Sequence, residues 1–278
     1  MTETTDVRLR AAILDERVAG ALWAALETFR FVPGARLVRE PDVTLVLSGT
    51  PYHTFNVVID TRFAPDAAYV RIPEVLAAFE PDSYPVTWWV GPGTRPADLG
   101  ARLAGMGLER SEPEFAMALD LDGWRPPPAG DSAGVLEEVA GPADLDEWLG
   151  VMHAAYRWPD ARRSALFGAI YQADFARPPA ERDTHHFVVR ADGVAVACSS
   201  LFTAGGQAFV TNIGTKPEAR GLGLGTVATV ATLVLAREMG RRTATLTASV
   251  DGRGLYRRLG FVEAGVIDRY VAGRWRGP

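Results

Sequence analysis

Thiols and primary ammonium groups are almost missing from this 278-residue chain. Cys198 is the only cysteine, which excludes an internal disulfide and any thiolate cluster for zinc or iron. Lys216 is the only lysine, so nearly all 29 cationic side chains are arginines. Such a bias favours planar, bidentate contacts with oxyanions, although genomic base composition produces it equally well. Acid exceeds base, with 34 Asp and Glu and a formal net charge of −5, which argues against a phosphate-backbone partner and so against nucleic acid. No apolar run approaches the roughly 20 residues that span a bilayer, and the opening MTETTDVRLR lacks an apolar core. The sequence therefore reads as cytoplasmic, with no membrane partner. His185 and His186 are adjacent on a strand-like run, so their rings face opposite ways and no shared metal site is expected.

What is present is a core. Hydrophobic residues make up 47% of the chain, and its length favours two domains over one. The clearest seam is LDGWRPPPAGDSAG, residues 121–134, where three consecutive prolines and small residues interrupt the pattern. It predicts one domain over 1–128 and another over 129–278. Before the seam, helical patterns near 12–30 and 72–80 alternate with strand-like DVTLVLSG, FNVVIDTRF and YPVTWWVG. After it come helices over about 142–156 and 161–175, then strands near 185–190, 194–202 and 207–215. The mixture is α+β. The two ends resemble each other: VTWWVG, ADLGARLAGMGL and PEFAMALDL run strand, helix, strand, as do TATLTAS, RGLYRRLGF and AGVIDRYVA. This order suggests a duplicated unit.

Between the strand ending at Thr215 and an alanine-rich helix lies Arg220-Gly-Leu-Gly-Leu-Gly225. Glycines at such a junction let backbone approach a ligand, and a helix N-terminus adds unpaired N–H groups and a positive dipole end, so the loop suits a phosphate or pyrophosphate. A P-loop requires Lys-Ser/Thr after the last glycine, whereas Gly225 is followed by Thr226 and Val227. A dinucleotide fingerprint, Gly223-x-Gly225-x-x-Ala228, belongs in the first strand-helix unit of a large parallel sheet, and too little chain follows it here. A third pattern does match: Gln or Arg, two residues, Gly, one residue, Gly or Ala. Arg220, Gly223 and Gly225 satisfy it, and the region resembles the acyl-CoA loop of the GCN5-related N-acetyltransferase (GNAT) superfamily. A second region, LTASVDGRGLYRRLGF, has Tyr256 four residues before Gly260-Phe261, as in that superfamily, with Ser249 where asparagine is usual.

The resemblance implies two GNAT-like domains, each a mixed, mostly antiparallel sheet flanked by helices, the first a degenerate copy without the glycine loop. It implies an acyltransferase that uses acetyl-CoA as cosubstrate and a small-molecule amine as acceptor, by direct transfer in a ternary complex, in a monomer or homodimer. The amides of Gly221, Leu222, Gly223, Leu224, Gly225 and Thr226, with Arg220, would hold the pyrophosphate. Those near Ile213, Gly214 and Thr215 would meet the pantetheine and the developing oxyanion. Tyr256, with an ordinary pKa of about 10, would protonate the thiolate, with Ser249 beside it. The glutamate that several members carry before the loop falls on Gln207, which leaves the base to water or to His153, Asp160, His185 or His186. Asn56, Trp88 and Tyr156 are the candidate acceptor-side residues, the first two on the assumption that the degenerate copy shapes the acceptor pocket. Two other readings compete: a CoA-binding regulator without turnover, and a self-resistance factor that sequesters a drug.

Overall fold

The computed structural model describes residues 18–79, 85–128, 134–158, 161–203, 206 and 208–273. Helix α1 over residues 18–26 runs into a 3-10 turn, Glu27–Phe31. There follow β1 Arg36–Glu40, β2 Val43–Leu47, β3 Val57–Ile59, α2 Ala68–Ala77, β4 Val86–Val90, α3 Leu99–Gly105, β5 Glu109–Arg110 and β6 Glu114–Asp120. The second half carries β7 Val135–Glu138, α4 Pro142–Tyr156, α5 Ala161–Phe175, β8 Thr184–Ala191, β9 Val194–Phe202 and β10 Phe209–Thr215. It ends with α6 Leu224–Glu238, β11 Thr243–Ala248, α7 Arg253–Arg258 and β12 Val262–Ala272. The fold is α+β, as expected.

The chain forms two compact units, but not the halves 1–128 and 129–278 that the proline run predicts. The first holds residues 1–116, 247–251 and 263–278; the second holds 117–246 and 252–262. The reason is strand membership. In the first unit β12 pairs antiparallel with β4, Tyr270 opposite Trp88, so the C-terminal strand belongs to the N-terminal sheet. In the second, the neighbour of β11 is β6, whose residues 117–120 come from before the prolines. Residues 129–133 of the seam lie outside the described residues.

Pairing within each unit follows one plan. In the first, β1, β2 and β3 are antiparallel neighbours and β3 runs parallel to β4, with α2 connecting that parallel pair. In the second, β7, β8, β9 and β10 are antiparallel and β10 runs parallel to β11, with α6 connecting them. The correspondence supports the duplication suggested by the sequence. Side chains of Val58, Phe63, Ile72, Trp88, Leu99 and Leu103 fill the first core.

The second unit shows why its site elements are rigid. Helix α4 starts at Pro142, where a missing N–H costs nothing, and the Asp144 carboxylate accepts from the amides of Ala140 at 3.1 Å and Gly141 at 3.2 Å. Leu145, Trp148, Leu149 and Met152 recur at helical spacing and are buried. Alternation along β9 sends Ser199 to one face, where its hydroxyl donates to Ala228 O of α6 at 2.8 Å. Cys198 and Ser200 point to the other, toward α4 and α5. The sequence pattern predicts none of β1, β5 or β7, which are short and largely exposed. Helix α2 also begins at Ala68 rather than 72, with Pro73 inside it.

Candidate active site

Strand β10 is the centre of the site. Its ladder with β11 has a single described register position, Phe209 opposite Thr245, and its ladder with β9 shifts register between Thr211 and Gly214. Inside that bulge Asn212 takes a left-handed backbone, φ 53°, which is rare for a non-glycine residue and most tolerable for asparagine. Two carbonyls at the bulge are engaged by side chains: Cys198 Sγ donates to Asn212 O at 3.4 Å, and the Tyr156 hydroxyl donates to Ile213 O at 3.1 Å. A trans peptide is planar, with N–H opposite C=O, so the Ile213 amide points away from Cys198 and the Gly214 amide away from Tyr156. Gly214 itself is obligatory, because a Cβ there would meet Ala155 Cβ at 2.8 Å and Cys198 Sγ at 3.2 Å.

Next comes the glycine loop. Gly221 and Gly223 have φ of 83° and 76°, and Gly223 is the N-cap of α6. Among the described residues no acceptor is bonded to the amides of Gly221, Leu222, Gly223, Leu224 or Gly225. These are five consecutive N–H groups at the start of a 15-residue helix, an arrangement that suits an anion. Thr226 departs from expectation: its amide donates to Gly223 O at 2.9 Å. Arg220 departs further. Its Nε donates to Thr215 O at 3.2 Å and Nη2 to Ala155 O at 3.0 Å, so the guanidinium fastens the loop to β10 and α4.

Tyr256 lies on α7, whose Leu255 stands 3.8 Å from where a Gly225 Cβ would be. Its ring is buried against Phe261, and its hydroxyl has no hydrogen-bond partner among the described residues. Burial pushes its pKa above the ordinary value, so the phenol keeps its proton throughout the neutral range. Ser249 follows β11 and is exposed; it belongs to the first unit. Gln207 and Asp160 lie outside the described residues. His153 Nδ1 is 2.7 Å from Ser164 Oγ and His185 Nδ1 is 3.0 Å from Glu138 Oε1. Among the described residues no cluster of His, Cys, Asp and Glu fits a metal, and no helix is long and apolar enough to cross a membrane.

The acceptor-side candidates of the first unit are both buried and hydrogen-bonded within it. Asn56 is buried, with Oδ1 accepting from Ser48 N at 2.9 Å and Ser48 Oγ at 2.7 Å, and Nδ2 donating to Thr50 O at 2.8 Å and Pro85 O at 3.1 Å. Trp88 is fully buried, its Nε1 donating to Thr61 Oγ1 at 2.9 Å. The junction between β3 and α2, where the second unit has its glycine loop, bonds four of its amides internally. Arg62 N donates to Asp42 O, Phe63 N to Arg95 O, and Ala67 and Ala68 N to Ala64 O. The buried Phe63 ring fills this junction.

Three residues of the second unit, Asn212, Tyr171 and Ser200, matter that the sequence pattern does not single out, and they join the candidate His186. The Asn212 amide donates to Tyr171 Oη at 2.7 Å and Ser200 Oγ at 3.3 Å, and Ser200 Oγ is 2.7 Å from His186 Nδ1. The asparagine in an otherwise apolar strand, VTNIG, was the available signal for the first of them.

Residues 146–261 match the model of the Acetyltransferase (GNAT) family. That stretch of the chain belongs to the GNAT family. Its reaction class is therefore acyl transfer. No curated protein sequence matches the chain significantly. Among solved structures, a GCN5-related N-acetyltransferase from Kribbella flavida is 21% identical with TM-score 0.71, covering 91% of this chain and 96% of that one. One from Sphaerobacter thermophilus is 14% identical, TM-score 0.62, covering 84% and 80%. A tandem GNAT protein from the clavulanic acid biosynthesis pathway is 20% identical, TM-score 0.61, covering 88% and 85%. At these identities the likeness is one of fold, and it extends over both units.

Proposed function

We propose that the protein is an acetyl-CoA-dependent N-acetyltransferase that transfers directly to the amine of a small molecule within a ternary complex. The observation that carries this reading is the run of five unbonded amides from Gly221 to Gly225, which suits the pyrophosphate of CoA. The cradle fits: Gly225 leaves only Thr215 Oγ1 within 3.4 Å of a would-be Cβ, and nothing crowds Gly221 or Gly223. Acetyl-CoA supplies an activated thioester. Transfer forms a C–N bond, breaks the C–S bond, and leaves an amine proton to be taken up and a thiolate to be protonated.

The chain's own groups serve those needs. The Ile213 amide, turned away from Cys198, is placed for the oxyanion that develops at the acyl carbon. The Tyr256 phenol, unpartnered and kept protonated by burial, is the proton donor to sulfur. Burial lowers the pKa of His186, which makes it a poor base, and His153 and His185 each face a side-chain partner, so water carries the amine proton away. The first unit is the degenerate copy, because four amides of its corresponding junction, those of Arg62, Phe63, Ala67 and Ala68, are bonded internally and it carries no run of glycines. The protein acts in the cytoplasm.

The test is isothermal calorimetry with CoA, followed by mass-spectrometric screening of an amine library with acetyl-CoA. Micromolar CoA binding and a mass gain of one acetyl group on a library member are expected. Binding without turnover would instead mark a CoA-dependent regulator, and tight binding of a library member without CoA would mark a sequestering factor.

A further inference from the structure

We propose that Asn212, Tyr171 and Tyr156 form a clamp on the β10 bulge that aims the Ile213 amide, making all three positioning residues for acyl transfer. The proposal rests on the acetyltransferase reading and adds to it which side chains hold the oxyanion donor in place.

Three fasteners meet within two residues. The side chain of Asn212 is tied by Nδ2 to Tyr171 Oη at 2.7 Å and to Ser200 Oγ at 3.3 Å. Its carbonyl is tied to Cys198 at 3.4 Å, and the next carbonyl, that of Ile213, to Tyr156 at 3.1 Å. Fixing two successive carbonyls fixes the planes of two successive peptides, and with them the directions of the Ile213 and Gly214 amides. A left-handed backbone at a non-glycine residue persists only where its surroundings over-determine it. Here the asparagine side chain does so.

The anchor behind the clamp is itself immobile. Tyr171 lies in the core, its ring 5.0 Å from Trp148 and 4.7 Å from His186. Ser200 bridges Asn212 to His186, whose ring is 1% exposed and lies 4.6 Å from Trp148. Burial holds His186 neutral and Tyr171 protonated, so no member of this network changes charge in the neutral range. A donor aimed by such a network needs no reorganisation when charge develops, which is the condition for strong electrostatic catalysis.

The experiment compares Tyr171→Phe, Asn212→Gly and Tyr156→Phe with the wild type. Glycine keeps the backbone conformation and removes the tether, and Tyr156, 48% exposed, is the variant least able to disturb folding. Thiol release from acetyl-CoA is measured with an amine panel and without it, because water attack develops the same oxyanion. CoA affinity is measured by calorimetry, and the Ile213 and Gly214 amides by nitrogen-15 NMR. The clamp requires a fall in kcat of about tenfold or more, part of the roughly 10²- to 10³-fold cost of losing such a donor, with CoA affinity within about threefold and displaced Ile213 and Gly214 signals. Unchanged kcat in folded variants of an active wild type overturns the clamp. Should the wild type neither bind CoA nor release thiol, the acetyltransferase reading fails instead, and unmoved Ile213 and Gly214 signals in the variants would overturn the clamp separately.

Discussion

Gly225, at the start of α6, lies against the Thr215 hydroxyl that ends β10: a Cβ on it would stand 3.1 Å from Oγ1. The crowding disfavours a side chain there although the φ of Gly225 is ordinary, whereas Gly223, with φ 76°, is needed for its conformation. Valine at either position should abolish measurable CoA binding, at Gly225 by wedging α6 from β10 and at Gly223 by turning the cradle amides. A β-branched residue at positive φ also costs about 1–2 kcal/mol of stability, so melting is recorded alongside calorimetry. A folded variant with wild-type affinity would remove the loop from the cofactor site.

Tyr256→Phe keeps the ring that packs on Phe261 and removes the proton donor. A fall in kcat of roughly a hundredfold, with CoA affinity retained, is expected of a general acid. Because burial raises the Tyr256 pKa, any alkaline limb of the wild-type rate below pH of about 10 must come from another group. An unaltered rate in the phenylalanine variant would make Tyr256 a packing residue.

The glycine loop and α7 were legible in the sequence because their chemistry depends on local spacing: Arg220, Gly223 and Gly225 within one turn, and Tyr256 before Gly260. Helices α4 and α5 were legible at about their observed bounds, since apolar periodicity marks them. Strand exchange was not. That β12 pairs with β4 while β6 neighbours β11 depends on long-range pairing, which no proline run reports. Arg220 shows the same limit within the site: the motif singles it out, but its guanidinium is spent on two carbonyls supplied by Thr215 and Ala155.

His186 gives the stability a pH dependence. Burial, with a smaller contribution from His185, lowers its pKa from 6.5 to about 3. Between those values the unfolded chain binds a proton that the folded one does not, so stability is full above pH 6.5 and falls as pH drops toward 3. This group alone contributes a slope of up to about 1.4 kcal/mol per pH unit. Thermal melts from pH 7 to pH 4 should therefore be flatter for His186→Asn, which keeps a polar atom toward Ser200, than for the wild type. Parallel curves would mean that the ring is protonated in the folded state.

Asn56 distinguishes support from substrate contact in the first unit. Its side chain makes five hydrogen bonds, two accepted from Ser48 and three donated to the carbonyls of Thr50, Tyr52 and Pro85. No lone pair or proton is left for an acceptor. Asn56→Ala should thus lower the melting temperature, with about 1–3 kcal/mol lost for the buried partners left unpaired, and leave the acceptor KM unchanged. Asn56→Asp should be worse, because it keeps the bonds from Ser48 but sets a carboxylate oxygen against three carbonyls in a buried site. A raised acceptor KM at an unchanged melting temperature would contradict this account and return Asn56 to the acceptor site.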